Sequence, residues 1–263
     1  MNQKIVITPL GTVSPYCYGN NNGPGFLIEY NDKRIMLDCG EGITRLMDIP
    51  NELNDLTIII SHLHKDHYAG ISSIAYASYV NHNLGLLSDK IKVYIPSGDK
   101  IVVDGITKNL PDYEYLMNYG NENYCDFISY EESDKIVYGD MKIEFVRNPH
   151  QLITYSIKVT IGNKVIVYSS DTGFENNTLV EFARGADVLI CEASYLKKYQ
   201  KTSDNHLYAY EAGMIAKSAN VAKLLLTHFY PTVNKQDYVD EAKEKFENTE
   251  AAEERKKLIL RRN

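Results

Sequence analysis

Ser61-His62-Leu63-His64-Lys65-Asp66-His67 follows the apolar, β-branched run Leu56-Thr57-Ile58-Ile59-Ile60 and precedes Tyr68-Ala69-Gly70-Ile71. The run reads as a buried strand and the small residues after it can open a helix, so the histidines sit on a strand-to-helix turn. Three imidazoles and a carboxylate on one tight turn cannot all face a core, because each ring nitrogen and carboxylate oxygen needs a partner when buried. Convergence on a metal ion meets that need. An imidazole and carboxylate set suits zinc, with Mn or Fe harder to exclude. The plain alternative is a polar surface loop, and the strand-turn-helix context favours the metal over it.

The chain has 263 residues, 44% hydrophobic, with no Trp and 21 Tyr. That length suits one large α/β domain, or two small ones. A net charge of −7 gives no global field for polyanions, so a long nucleic acid would need a local basic patch. Cys17, Cys39, Cys125 and Cys191 are scattered without CxxC spacing, which suggests neither a disulfide framework nor a thiolate zinc site. A reducing cytoplasm is the expected compartment. Met1 to Ile7 runs straight into a strand-like pattern, and no apolar stretch approaches the roughly 20 residues of a membrane helix. A soluble protein without an export signal is expected.

Strands are predicted over Ile5–Leu10, Gly25–Tyr30, Arg34–Asp38, Ile91–Ile95, Lys135–Tyr138, Lys142–Val146, Thr154–Thr160, Lys164–Tyr168, Val188–Cys191 and Lys223–Thr227. Helices are predicted over Tyr68–Asn83, Glu175–Arg184, Leu207–Ala219 and Lys235–Phe246, with a short one opening at Ile43. Gly23-Pro24-Gly25 permits a close backbone approach, to a ligand or within a tight turn. Between 97 and 130 the pattern is least regular: a helical start over Gly98–Leu110 is broken at Pro111, and a polar, tyrosine-rich loop runs from Asp112 to Tyr124. That loop reads as a solvated connection or as a lid carrying Tyr113, Tyr115 and Tyr119. The charged tail from Glu247 is helix-prone until Leu258-Ile259-Leu260, a candidate edge strand. No repeat or linker interrupts the chain, and residues 1–263 read as one domain of two mixed β/α halves.

Later strand ends extend the central motif. His150 follows strand 142–146, Asp171 follows strand 164–168, and His228 follows strand 223–227. Each stands just past the carboxyl end of an apolar strand, where α/β sheets assemble their sites. Any one alone would read as a surface or capping residue, whereas the repetition supplies enough positions for two metals with one bridging carboxylate. His82, in Asn81-His82-Asn83, lacks such a context and reads as surface.

With these residues in place, the sequence resembles the metallo-β-lactamase-fold hydrolases, His62-Leu63-His64-Lys65-Asp66-His67 standing where that family has HxHxDH. The resemblance implies an α/β (α+β) fold, the αβ/βα four-layer sandwich, and two Zn2+ per subunit, with Mn2+ as the alternative ion. It assigns one metal to His62, His64, His150 and Asp171, and the other to Asp66, His67, Asp171 and His228. Asp38 would orient a histidine from behind, and Asp66 would also serve catalysis. Cys191-Glu192-Ala193-Ser194 and His206-Leu207-Tyr208-Ala209-Tyr210-Glu211 resemble the ribonuclease Z pattern, which implies that His206 and Glu192 form a proton-donor pair. Chemistry agrees, since expelling an alkoxide from a phosphodiester benefits from a general acid. The arm with which that family grips tRNA usually lies between the positions of His150 and Asp171, and here only two short strands and a Gly-Asn turn separate them. The chain therefore resembles the compact cyclic-nucleotide phosphodiesterases, among them the phage anti-Pycsar enzymes. The expected activity is hydrolysis of 3′,5′-cyclic nucleotides, including cyclic pyrimidine second messengers of antiviral signalling, by a cytoplasmic homodimer (host cytoplasm if phage-encoded). The alternatives are a tRNA 3′-processing endonuclease and a non-catalytic nucleotide-sequestering protein.

Overall fold

The computed structural model describes residues 4–104, 106–119, 125–174 and 177–261, the side chains of 101–103 and 119 excepted. Its first half contains β1 (Lys4–Gly11), β2 (Gly25–Tyr30), β3 (Lys33–Leu37), β4 (Leu56–Ile59), α1 (Lys65–Tyr68), α2 (Ile71–Asn83), β5 (Ile91–Pro96), β6 (Lys100–Val103), β7 (Ile106–Asn109), α3 (Pro111–Tyr119) and β8 (Cys125–Tyr130). Its second contains β9 (Ile136–Tyr138), β10 (Met141–Arg147), β11 (Tyr155–Ile161), β12 (Lys164–Tyr168), α4 (Asn177–Phe182), β13 (Val188–Glu192), α5 (Ala209–Ser218), β14 (Leu224–Thr227), α6 (Lys235–Lys243), β15 (Thr249–Ala251) and β16 (Leu258–Arg261).

Two seven-stranded sheets result, in the orders β16-β1-β2-β3-β4-β5-β8 and β15-β14-β13-β12-β11-β10-β9. Each is antiparallel on one side and parallel on the other, the change falling at β3/β4 and at β12/β13. Strand alternation sends side chains to two different cores. Phe26, Ile28, Ile35 and Leu37 meet Ile143, Phe145, Ile157 and Val159 between the sheets, while Leu27, Met36, Ile58 and Val93 pack against Ile71 and Ile74 of α2 and Leu116 of α3. On the far side, Val167, Leu189, Leu224 and Leu226 meet α5 and α6 through Ala212, Ile215, Tyr238 and Val239. Sheets buried on both faces need strands that are apolar nearly throughout, which is why β4 and β13 read as continuous runs. The order helix, sheet, sheet, helix is the expected αβ/βα sandwich.

Most predicted elements fall within a residue or two of their observed bounds. The differences cluster in the stretch after β5. The expected helix over Gly98–Leu110 is the β6–β7 hairpin, whose β-branched Ile101-Val102-Val103 and Ile106 flank a turn with Asp104 at φ 53°. The expected loop after Pro111 is instead α3, because proline's fixed φ and missing N–H are tolerated in a first helical turn. In the tail the helix-prone reading gives way to β15, while the candidate edge strand is present as β16 against β1. β11 and β12 pair directly across Gly162-Asn163, so the described chain has no arm there.

Candidate metal centre

Six of the chain's seven histidines gather in one cluster, four of them on the segments that follow the parallel strands β4 and β14, with His150 after the antiparallel β10 and His206 just before α5. β4 delivers His62, His64 and the helix α1 bearing Asp66 and His67, while β10, β12, β13 and β14 deliver His150, Asp171, Glu192 and His228. Turning the chain this sharply places Asp38, Ser170 and His228 at φ 59°, 52° and 63°, a region that non-glycine residues rarely occupy. The glycine-rich loop after β1 packs on this same turn. A Cβ at Gly40 would stand 2.5 Å from the Asp66 carbonyl oxygen, and one at Gly23 2.9 Å from it. The close approach anticipated at Gly23 is thus to the protein's own backbone.

The donor atoms form two groups that share a carboxylate. Asp171 Oδ2 lies 3.5 Å from His62 Nε2 and 3.9 Å from His150 Nε2, whereas its Oδ1 lies 3.3 Å from His67 Nε2 and 3.0 Å from His228 Nε2. His64 Nδ1 stands 3.0 Å from His62 Nε2 and 3.2 Å from His150 Nε2, and Asp66 Oδ2 is 3.6 and 3.7 Å from the His67 and His228 nitrogens. Within each of the groups His62/His64/His150/Asp171 and Asp66/His67/His228 the donor atoms lie no more than 4.8 Å apart.

The chemistry of this donor set fits divalent cations. Ser61 Oγ donates its hydrogen to Asp38 and so can only accept from His62 Nδ1 at 3.1 Å; His67 Nδ1 donates to Asp38 at 2.7 Å and His150 Nδ1 to the Asn205 carbonyl at 3.1 Å. Ser194 Oγ donates to Glu192, so His228 Nδ1 donates to it at 2.8 Å. With the outer nitrogen of each ring engaged by these partners, the Nε2 atoms of His62, His67, His150 and His228 turn inward towards one another, each a ligand once it carries no proton. His67 Nε2 and His228 Nε2 are only 3.2 Å apart, and Asp171 Oδ1 is buried without an accepted hydrogen bond among the described residues. A divalent cation in place of the proton on His67 would satisfy these converging nitrogens and the Asp171 oxygen together.

Electrostatics point the same way. Burial, reinforced by neighbouring imidazoles, pulls His62 well below its ordinary pKa and His64 down to about 4, and burial lowers His150 as well, so all three are neutral and ready to ligate at pH 7. His67 goes the other way. Burial opposes its charge, but the carboxylates of Asp171, Asp66 and Asp38 outweigh that and raise it well above the usual value. The carboxylate excess that protonates this ring is a field for a bound cation.

Behind the donors runs a buried network. Asp38 accepts from the Ser61 backbone at 2.6 Å and from the Tyr168 hydroxyl at 2.7 Å, and Ser170 Oγ donates to Ser61 Oγ at 2.6 Å. Ser14 Oγ donates to Asp66 Oδ2 at 2.7 Å from the β1–β2 loop. Sequence reasoning found Asp38 but missed Ser14, Ser61, Tyr168, Ser170 and Ser194. Ser61 and Ser170 each adjoin a candidate ligand in the sequence, and that adjacency was the available signal.

His206 and Glu192 come together on the more open side of the cluster. His206 Nδ1 lies 3.0 Å from Glu192 Oε1, and Glu192 also accepts from the Thr172 backbone at 2.8 Å and from Ser194 Oγ at 2.6 Å. Burial alone would lower His206, yet the charge and hydrogen bond of Glu192 push it up to about 9. Because Nδ1 is spent on the carboxylate, Nε2 is the nitrogen available to a substrate oxygen. Asp171, His206 and His228 also lie close enough to form a third group of donors, so ligation competes with proton donation as a role for His206.

The three tyrosines singled out after Pro111 do not share one environment. Tyr113 packs its ring on the core beneath α3, Tyr115 is 54% exposed on that helix, and the Tyr119 side chain lies outside the described residues. Asp112 of α3 accepts a short hydrogen bond from Tyr68 of α1.

Comparison with known proteins follows this geometry. The sequence model of the family described as "Anti-Pycsar protein Apyc1" matches residues 5–248. The "Probable metallo-hydrolase YhfI" of Bacillus subtilis is 27% identical over 84% of this chain and 86% of its own length, and the crystal structure of that metallo-beta-lactamase fold protein superposes with a TM-score of 0.85 at 24% identity over 98% of this chain and 100% of that one. A ribonuclease Z of Clostridium acetobutylicum is 28% identical over 92% of this chain and 93% of its own. The short form of human tRNase Z matches in fold, with a TM-score of 0.73 at 19% identity over 97% of this chain and 98% of that one. A match over nearly the whole chain, together with the His/Asp clusters, makes this a metal-dependent hydrolase of the metallo-β-lactamase fold that belongs to the anti-Pycsar Apyc1 family.

Proposed function

We propose that the protein is a dinuclear zinc phosphodiesterase that opens 3′,5′-cyclic nucleotides. The observation that carries this reading is the division of the Asp171 carboxylate between two donor groups, with the His206–Glu192 pair at their edge. His62, His64, His150 and Asp171 would hold one ion, and Asp66, His67, Asp171 and His228 the other. Two ions there would polarise the phosphoryl oxygens and lower the pKa of an attacking water. The chain's own share is orientation and proton supply. Asp38, Ser61 and Ser194 fix the tautomers, and His206, held cationic by Glu192, donates from Nε2 to the departing ribose oxygen. A cyclic phosphodiester has an alkoxide leaving group, for which such an acid is useful.

The ribonuclease Z resemblance favours a second reading, a tRNA 3′-processing endonuclease. Against it stand the net charge of −7 and the direct β11–β12 turn where that family's arm is usually inserted. Sequestration of a nucleotide without turnover accords less well with a complete donor set beside an acid pair. The reading includes a cytoplasmic homodimer, two-fold dimers being the commonest oligomers, and among the described residues no helix is long and apolar enough to cross a membrane. Incubating the purified, zinc-loaded protein with cyclic mononucleotides and with pre-tRNA separates the readings. Hydrolysis of the former to 5′- or 3′-monophosphates is expected, and cleavage of pre-tRNA alone would overturn the proposal.

A further inference from the structure

A cavity of about 370 Å³ opens beside the acid pair, lined by Ser194, Tyr195, Tyr199, Gln200, Tyr230 and Tyr238 among others. Ser194 ties it to the metal centre, because its hydroxyl bonds both Glu192 at 2.6 Å and His228 at 2.8 Å. Tyr195 stands edge-on to His206 with ring centroids 6.3 Å apart, and Tyr230 follows His228 by two residues. Tyr199 and Tyr230 are 48% and 44% exposed, so both rings keep surface open to a ligand. Tyr16 meets Tyr230 edge to face at 6.2 Å, so the outer wall is aromatic as well. Tyr195 is held by its hydroxyl on Thr202 Oγ1 at 2.7 Å, and the Tyr230 backbone by the buried Tyr238 hydroxyl at 3.3 Å.

We infer that this tyrosine-lined pocket receives the base of the nucleotide whose phosphate sits at the metal centre. The inference rests on the proposed cyclic-nucleotide substrate and gives it a second anchoring point. The volume lies in the range of small-ligand sites and suits one base with its sugar, whereas an oligonucleotide would exceed it. Rings stack on any base, and the Gln200 amide offers both a donor and an acceptor to a base edge. The pocket adjoins the acid pair through Ser194 and Tyr195, so a base held there would keep its ribose on the His206 side of the donor cluster.

The test compares Tyr199→Ala and Tyr230→Ala with wild type on a cyclic nucleotide and on methyl p-nitrophenyl phosphate, a diester with no base. Each substitution should lower the ratio of kcat/KM for nucleotide to that for the simple diester about tenfold or more, mainly through KM, and Tyr→Phe should restore it. An unchanged ratio, or equal loss on both substrates, overturns the inference. So does a loss that appears only when light scattering records a changed oligomeric state, since the pocket would then be a subunit contact. Wild-type protein that cleaves the simple diester but no cyclic nucleotide would sink the proposed substrate instead. The pocket is then judged by inhibition of diester cleavage: nucleoside 5′-monophosphates must inhibit more strongly than inorganic phosphate in wild type, and lose that advantage in Tyr230→Ala.

Discussion

Two tyrosine-rich flanks border the metal centre, and they are built differently. On the α1 side, the excursion from Gly98 to Tyr119 is anchored by Tyr68–Asp112, by Asp99 carboxylate oxygens accepting from the Ile153 backbone at 3.0 Å, and by Leu116 and Tyr113 packed on the helix–sheet core. On the His206 side, the 194–208 segment is tied by Ser194, Tyr195 and Leu207 to the acid pair itself. On the first flank Tyr113 packs on the core and Tyr115 is exposed on α3; on the second, Tyr199 and Tyr230 leave rings exposed around a cavity. Hydrogen bonds and ring contacts tie the second flank to Glu192 and His206, whereas those of the first run to α1 and the core.

The largest effect should come from between the flanks. Asp66→Ala/His67→Ala removes two of three donors from one group and should abolish turnover by several orders of magnitude, with bound zinc falling from two towards one per chain by elemental analysis. Wild-type rates in that variant would end the dinuclear mechanism. Next in size, His206→Ala should slow cyclic-nucleotide hydrolysis by about 10²–10⁴-fold while costing far less on methyl p-nitrophenyl phosphate, whose leaving group needs no proton. Equal losses accompanied by lost zinc would assign His206 to the ligands.

The pH profile sharpens the same point. The folded His206 is raised to about 9 from an ordinary 6.5, so the acid form and the stability it adds are full below about 6.5 and vanish as pH rises through the folded value. Bound cations oppose the same charge, so the alkaline limb of kcat/KM should lie below 9 in the loaded enzyme. Glu192→Gln removes the carboxylate that stabilises the imidazolium and should move that limb to lower pH. A limb unmoved by the substitution would mean that another group supplies the proton. A more modest loss is expected behind the ligands: Tyr168→Phe withdraws a buried donor from Asp38 and should weaken zinc binding about 10–100-fold in competition with a chelator.

The candidate ligands were legible because each stands directly after an apolar strand, and a run such as Val188-Leu189-Ile190-Cys191 announces its own end. Backing groups gave no such sign. Ser14 reaches Asp66 across 52 positions and Tyr168 reaches Asp38 across 130, and neither a serine nor a core tyrosine has a sequence signature for its partner. The stretch after β5 is ambiguous in sequence on two counts: its β-branched run forms only a two-stranded hairpin outside both main sheets, and Pro111, which can end a helix or open one, here opens α3. The tyrosine pocket lay hidden because Ser194 to Gln200 and Tyr230 are separated in sequence and converge only after β13 and β14 pair.

The smallest expected effect tests the comparison most directly. Tyr115 is exposed on α3, two residues from the packed Tyr113, on the flank whose contacts run to α1 and the core and not to the acid pair. Tyr115→Ala should therefore leave the nucleotide KM within about twofold of wild type, and as a surface change it should alter stability by no more than about 0.5 kcal/mol. Asp112→Ala, which takes the partner from the Tyr68 hydroxyl, should instead lower the melting temperature by an amount corresponding to about 1 kcal/mol with little effect on KM. If Tyr115→Ala raises the nucleotide KM as far as Tyr230→Ala does, the base is held from the α1 side or from both, and the two flanks would have to exchange or share their roles.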